Sequence, residues 1–171
     1  RGEVNFPAFE QALKGFSRYA SGQDRLLVLI DYTKPSTEKR FYILDLLQKK
    51  LLLSTYVAHG RGSGDNYAVA FSNRPGSYQS SLGFFRTGDT YMGKNGYSLF
   101  LDGLEKGIND KARERAIVVH VANYADPAVL KGQQRLGRSL GCPALPPDIS
   151  KQVIDTIKGG VLLYIYGLNK A

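Results

Sequence analysis

Cys142 is the only cysteine in the 171-residue chain, and it sits in the tight run Arg138-Ser139-Leu140-Gly141-Cys142-Pro143. Upstream, His120 closes a strand-like run, Ala116-Ile117-Val118-Val119-His120. A lone cysteine with a histidine elsewhere in the chain is the pattern of a nucleophile and its general base. The thiolate is the reactive form. An unperturbed thiol, with a pKa of about 8.5, is mostly protonated at neutral pH, so a neighbour must activate it. Of the two histidines, His120 is the better placed. The plainer alternatives are a small buried hydrophobe for Cys142 and a strand-end histidine bonded to a carbonyl for His120. The local sequence favours chemistry. Gly141 lets the backbone approach a substrate closely, Pro143 stops the chain at once, and Cys142 does not stand inside an apolar periodic run.

Acyl transfer by this pair needs donors aimed at a developing oxyanion, and the backbone N–H groups of Gly141 and Cys142 are the candidates. Ser139 either braces the turn or touches substrate. Arg138 is either a bidentate partner for a substrate carboxylate or a solvated surface arginine. His59, in His59-Gly60-Arg61-Gly62-Ser63-Gly64, is either a cleft residue or part of a tight turn. This glycine run lacks the Lys-Ser/Thr ending of a phosphate loop, and no helix follows it. A metal is not expected: the two histidines are far apart, no carboxylate stands at ligand spacing, and one cysteine excludes a cysteine-rich zinc site. No cofactor is implied. No carboxylate is evident to orient His120, since Asp126 follows a turn.

Ser139-Leu140-Gly141-Cys142 resembles the Ser-His-Gly-Cys signature of the L,D-transpeptidase catalytic domain, which remodels bacterial peptidoglycan. The longer run Gly137 to Leu145, with its Arg-Ser-x-Gly-Cys-Pro motif, is similar to the divergent murein L,D-transpeptidase catalytic domain-like branch. So are His59 to Gly64, Phe71-Ser72-Asn73-Arg74-Pro75-Gly76-Ser77, Ser80 to Phe85, Gly96 to Leu99, and His120-Val121-Ala122-Asn123-Tyr124. The resemblance runs from about Leu27 to Gly167. It implies a cysteine acyltransferase acting on peptidoglycan stem peptides, as L,D-transpeptidase or L,D-carboxypeptidase, with Cys142 as nucleophile and His120 as base. It also implies that a backbone carbonyl can orient His120, and that Tyr91 and Tyr97 contact substrate. Two positions depart from the main family. Leu140 stands where the family has His, which bears on the polar lining of the cleft. Val121 stands where Gly or Ser usually follows the strand histidine. A non-catalytic envelope-binding module on the same fold is the competing reading.

The chain is long enough for one domain with a real core, and residues 1–171 are read as a single L,D-transpeptidase-like domain and as a monomer. Its hydrophobic content of 43% and charged content of 22% are ordinary for a globular protein. No apolar run reaches the ~18–20 residues of a membrane-spanning helix. The chain opens at Arg1-Gly2 without Met. It is read as a mature chain whose export signal has been removed, placing it in the periplasm or cell envelope. The net charge of +8 suggests a polyanionic partner. Lys and Arg are spread along the chain and no nucleic-acid motif appears, so an anionic cell envelope is preferred to nucleic acid.

The elements that would position the pair are mainly strands. Phe6, Phe9, Leu13 and Phe16 recur at helical spacing over 6–18, with a stop at Ser21-Gly22. Leu26 to Tyr32, Arg40 to Leu46 and Leu51 to Ala58 read as a β-meander. Residues 60–83 read as a long ordered loop of the functional kind. Tyr97 to Leu101 and Ala116 to Val121 are further strands, with polar connections at 105–115 and 123–136. A helix starts at Pro147-Asp148, with Ile149, Val153, Ile154 and Ile157 on one face, and stops at Gly159-Gly160. Val161 to Tyr166 closes the chain as a strand. Strands without alternating helices argue against a parallel α/β sheet. The expected class is therefore mainly β (α+β), a sandwich or barrel with two or three packed helices.

Overall fold

The apolar runs near the two ends of the chain meet in the middle of the sheet. In the computed structural model, which describes residues 3–19 and 24–170, β1 (Leu26–Asp31) pairs in parallel with β8 (Leu162–Tyr166). Outward from β1 lie β2 (Phe41–Asp45) and β3 (Lys50–Thr55), both antiparallel, as the meander reading expects. On the other side of β8 come β4 (Gly83–Gly93), β5 (Gly96–Gly103), β6 (Val118–Val121) and β7 (Ala144–Leu145). The order is β3-β2-β1-β8-β4-β5-β6-β7, one mixed sheet in which β1–β8 and β6–β7 are the parallel pairs.

The sheet curls so that its two ends nearly meet. The third predicted strand is shorter than expected because the chain leaves β2 after Thr55. Ala58 then bridges to the opposite edge: its N–H donates to Ala144 O at 2.9 Å, and Ala144 N–H returns a bond at 3.3 Å. This contact brings the start of the 60–82 loop against the segment that carries the cysteine.

Alternation along the strands splits the apolar side chains between two faces. One cluster, inside the curl, holds Val28, Ile30, Phe41, Ile43, Leu99, Leu101, Val119, Leu163 and Ile165. The helix α2 (Ser150–Ile157) closes it with Val153, Ile154 and Ile157, the face read from the sequence. Each such fully buried aliphatic side chain contributes about 1.5–3 kcal/mol relative to exposure. On the outer face, α1 (Phe6–Tyr19) covers Leu27, Leu29, Tyr42, Leu44, Phe84 and Leu162.

The buried stripe of α1 differs from the one its large residues suggest. Ala8, Ala12 and Gly15 are buried, Phe9 and Phe16 pack at the margins, and Phe6 is largely exposed. Small residues let the helix lie close on the sheet: a Cβ at Gly15 would stand 1.8 Å from the Phe84 ring. The predicted stop at Ser21-Gly22 lies outside the described residues.

The longest strand, β4, has no counterpart in the sequence reading. Gly88-Asp89 looks like a turn, yet there the β4–β5 register merely slips, between Thr87 and Thr90, and the strand continues. Its first half joins β8 and its second half extends with β5 as a hairpin. The 105–115 and 123–136 connections are turns and two short 3-10 segments, Asn123–Ala125 and Pro127–Lys131.

Candidate active site

β6 carries His120 into a rung that crosses four strands: Tyr91 pairs with Ser98, Ser98 with His120, and His120 with Ala144. Directly opposed residues share a sheet face, so Tyr91, Ser98 and His120 lie on one side and Tyr97 on the other. His120 is 4% exposed, and its Nδ1 lies 2.8 Å from Val121 O. A carbonyl can only accept, so Nδ1 carries the proton in the neutral ring and Nε2 keeps the lone pair. A backbone carbonyl thus holds the ring. Burial holds the His120 pKa below its ordinary value, and the Val121 carbonyl partly opposes this.

The parallel β6–β7 pairing delivers the cysteine turn beside the same strand. His120 N–H donates to Pro143 O at 3.3 Å, one residue beyond Cys142. The half-buried thiol donates to Ala116 O at 3.3 Å, and Val118 N–H points at Sγ at 3.4 Å. The hydrogen bonds of Sγ therefore go to the backbone of the run leading into β6, and none goes to His120. Ala116 itself is held at φ 56°, a left-handed conformation that is uncommon outside glycine. Burial pushes the Cys142 thiol above its ordinary pKa, while the Val118 N–H and the charges of Arg115 and Lys94 pull it down.

The turn is braced by Ser139 and by the glycine loop. Ser139 Oγ accepts from Gly141 N–H at 3.1 Å and its hydroxyl donates to Cys142 O at 2.6 Å. Ser139 N–H donates to His59 O and Arg61 N–H to Ser139 O, at 2.9 and 2.8 Å. Gly60 and Gly141 meet backbone to backbone, so a Cβ at Gly60 would stand 2.9 Å from Gly141 N and Cα. Gly141 adopts φ +126°, where a side chain would be strained. Of the two predicted oxyanion donors, Gly141 N–H is already engaged by Ser139. The Cys142 N–H has no acceptor among the described residues.

The other candidates separate. His59 is buried, with Nδ1 2.9 Å from Arg40 Nη2 and Nε2 2.8 Å from Asp65 O. Burial, reinforced by Arg40, pushes its pKa down to about 3. It lies inside the molecule, bonded to a carbonyl of its own loop. Arg40, fully buried, also donates to Val57 O and Lys34 O and lies over the Tyr32 ring at 4.8 Å. Burial lowers its pKa to about 10. Arg138 is half-buried and donates to Gly64 O at 3.3 Å. Tyr91, on the His120 face, stacks on Phe100 at 4.4 Å between centroids. Tyr97, on the opposite face, packs against the inner core and donates its hydroxyl to Asp155 of α2. Leu140 is 54% exposed beside Cys142.

Two groups near the thiol escaped the sequence reading, Arg115 and Lys94. Arg115 precedes the His120 strand inside Lys111-Ala112-Arg113-Glu114-Arg115, where alternating charges look like a solvated surface. The one available signal is its position five residues before His120. Lys94 sits at the tip of the β4–β5 hairpin, which no periodicity reveals. Among the described residues there is no group of three or more His, Cys, Asp or Glu side chains that could hold a metal, and no helix long and apolar enough to cross a membrane.

The curled mixed sheet matches the fold of L,D-transpeptidase domains. The L,D-transpeptidase catalytic domain family model matches residues 1–166, and the chain belongs to that family, whose members act on peptidoglycan. A search of curated protein sequences finds no match. Among solved structures, the fold is similar to the helical cell shape determining protein Pgp2 from Campylobacter jejuni, with TM-score 0.57 and 16% identity over 86% of this chain and 50% of that one. It is similar to Bd1075 from Bdellovibrio bacteriovorus, with TM-score 0.53 and 15% identity over 85% and 49%. It is also similar to the L,D-transpeptidase from Stackebrandtia nassauensis, with TM-score 0.50 and 15% identity over 91% and 62%. The chain thus spans about half to three-fifths of the length of these proteins.

Proposed function

We propose that this chain is a single catalytic domain that transfers acyl groups of peptidoglycan stem peptides through a thioester on Cys142, in the periplasm or cell envelope. The observation that carries the reading is the pairing of β6 with the cysteine turn. It sets the thiol beside the strand of a histidine whose Nδ1 is committed to Val121 O. Cys142 Sγ attacks the carbonyl carbon of the bond between an L-centre and a D-centre. His120 Nε2 takes the thiol proton and returns it to the departing amine, so the terminal D-amino acid leaves neutral at nitrogen. The thioester then passes to an amine, giving a cross-link, or to water, giving carboxypeptidase action. The Cys142 N–H is the oxyanion donor left open by the turn. Ser139 holds the turn, and Arg138 and Tyr91 are the substrate contacts retained from the sequence reading. The positive charge serves attraction to the anionic envelope and not to nucleic acid.

A non-catalytic envelope-binding role is favoured by one observation: the thiol bonds to Ala116 and Val118 instead of His120, and burial raises its pKa. Intact mass after incubation with a carbapenem separates the two. The enzyme reading expects a stable adduct on wild type that Cys142→Ser abolishes. Stem-peptide binding by a wild type that forms no adduct and releases no D-amino acid favours the binding module.

A further inference from the structure

We propose that Arg115 is a positioning residue of the Cys142 site: its guanidinium fastens the 72–81 segment under the cysteine turn and supplies the unneutralised positive charge that favours the thiolate. This rests on Cys142 being the nucleophile.

The geometry is specific. Arg115 Nη1 donates to Ser72 O at 2.9 Å and to Ser81 Oγ at 2.7 Å, and Nη2 donates to Gln79 O at 2.7 Å and to Ser77 Oγ at 3.2 Å. All four acceptors are neutral, so the fork is held in place while its charge is kept. Arg25, Arg86, Arg113 and Arg135 each meet a carboxylate, and Arg115 meets none among the described residues. The same fork reaches the turn. A Cβ built on Gly141 would stand 3.0 Å from Gln79 O and 3.4 Å from Arg115 Nη2. Ala116, the residue after Arg115, presents the carbonyl that accepts the hydrogen bond of the thiol. One short stretch, 115–118, therefore carries the cation and both backbone partners of Sγ.

The groups facing Cys142 from other elements do not replace it. Lys94 at the β4–β5 tip is an exposed cation on a flexible stem, and its effect on the thiol ranks after that of Arg115. Tyr124, beyond β6, and Tyr32, beyond β1, are held up to about 12 and stay neutral, and His120 is neutral near pH 7. Burial lowers the Arg115 pKa and the charge of Cys142 raises it, the reciprocal of the effect of Arg115 on the thiol.

Cys142 is the only thiol, so iodoacetamide alkylation followed from about pH 6 to 10.5 reads its ionisation directly. Arg115→Gln is expected to move the midpoint up by about one unit, slowing alkylation at pH 7.5 about tenfold and leaving the high-pH plateau unchanged. Arg115→Lys keeps a cation and stays within a few tenths of a unit of wild type, as does Arg113→Gln, whose arginine is already paired. A superimposable Arg115→Gln profile, or an Arg115→Lys profile shifted as far as Gln, overturns the proposal. If Arg115→Gln loses its circular dichroism spectrum, wild type decides: the Arg115 15N resonances should titrate with the Cys142 midpoint and stay flat in Cys142→Ser. Flat wild-type resonances overturn it. Neither readout needs a stem peptide. A protein that releases no D-amino acid but shows the shift loses the function and keeps this coupling.

Discussion

The Nδ1 atom of His120 lies 2.8 Å from the carbonyl oxygen of its own neighbour, Val121. That contact orients the ring without a carboxylate, and it leaves Nε2 as the basic nitrogen. It also adds no negative charge, so burial wins and the ring stays neutral below its ordinary pKa.

The consequence for pH is directional. In the proposed role of base, His120 is in its working form throughout the neutral range, and protonation would inactivate it only below about pH 6.5, the unperturbed histidine value. The thiol, raised by burial, gains reactivity as pH climbs past its ordinary range. Carbapenem acylation rates measured from pH 5 to 10 should show two rises, one with its midpoint below about 6.5 as His120 loses its proton and a second at alkaline pH as the thiol ionises. A profile with the alkaline rise alone, and no inflection below about 6.5, would contradict His120 as the base.

Stability should also fall with acid, through His59. Its folded pKa, about 3, lies below its unfolded value near 6.5, so the unfolded chain binds the extra proton between those values. The stabilisation is complete above about pH 6.5 and is lost as pH drops toward 3. Urea unfolding should show a loss of about 2 kcal/mol between pH 7 and 5. His59→Gln should lower stability at pH 7 and flatten this dependence. Asp45 and Asp102 are held below the usual carboxylate range by Arg25 and Arg113, so they add their own loss of stability only below about pH 5, where the unfolded chain's carboxylates take up protons, and the interval from about pH 7 to 5 is free of them.

Ser139→Ala tests the turn. It removes the acceptor for Gly141 N–H and the donor to Cys142 O. Loss of these two bonds should cost about 1–3 kcal/mol in urea unfolding. Because they set the position of the cysteine backbone, carbapenem acylation should slow by about tenfold or more, beyond what the stability change explains. Ser139→Thr, which keeps the hydroxyl, should restore most of the rate.

How far the sequence reaches depends on the range of the signal. Local periodicity places β1, β2, β8 and α2, because each has its own apolar pattern. It misses β4, where Gly88-Asp89 imitates a turn and only pairing with β5 and β8 keeps the strand going. It misplaces the buried stripe of α1, because Ala8, Ala12 and Gly15 carry no hydrophobic signal. Cys142 and His120 stand out by type and by their family motif. Arg115 does not, since its role depends on four acceptors lying 34 to 43 residues away. His59 shows the converse. It reads as a cleft or tight-turn residue in a glycine loop, and it is buried, with Arg40 and the Asp65 carbonyl satisfying both ring nitrogens.

The central claim is that Cys142 and His120 act together as nucleophile and base on stem peptides, and release of the terminal D-amino acid from a stem tetrapeptide measures it most directly. Wild type should release it. Cys142→Ser and His120→Ala should each lower release by at least about a thousandfold while keeping the wild-type circular dichroism spectrum, because either loss disables a pair that acts as a unit. Turnover retained by Cys142→Ser would contradict the account.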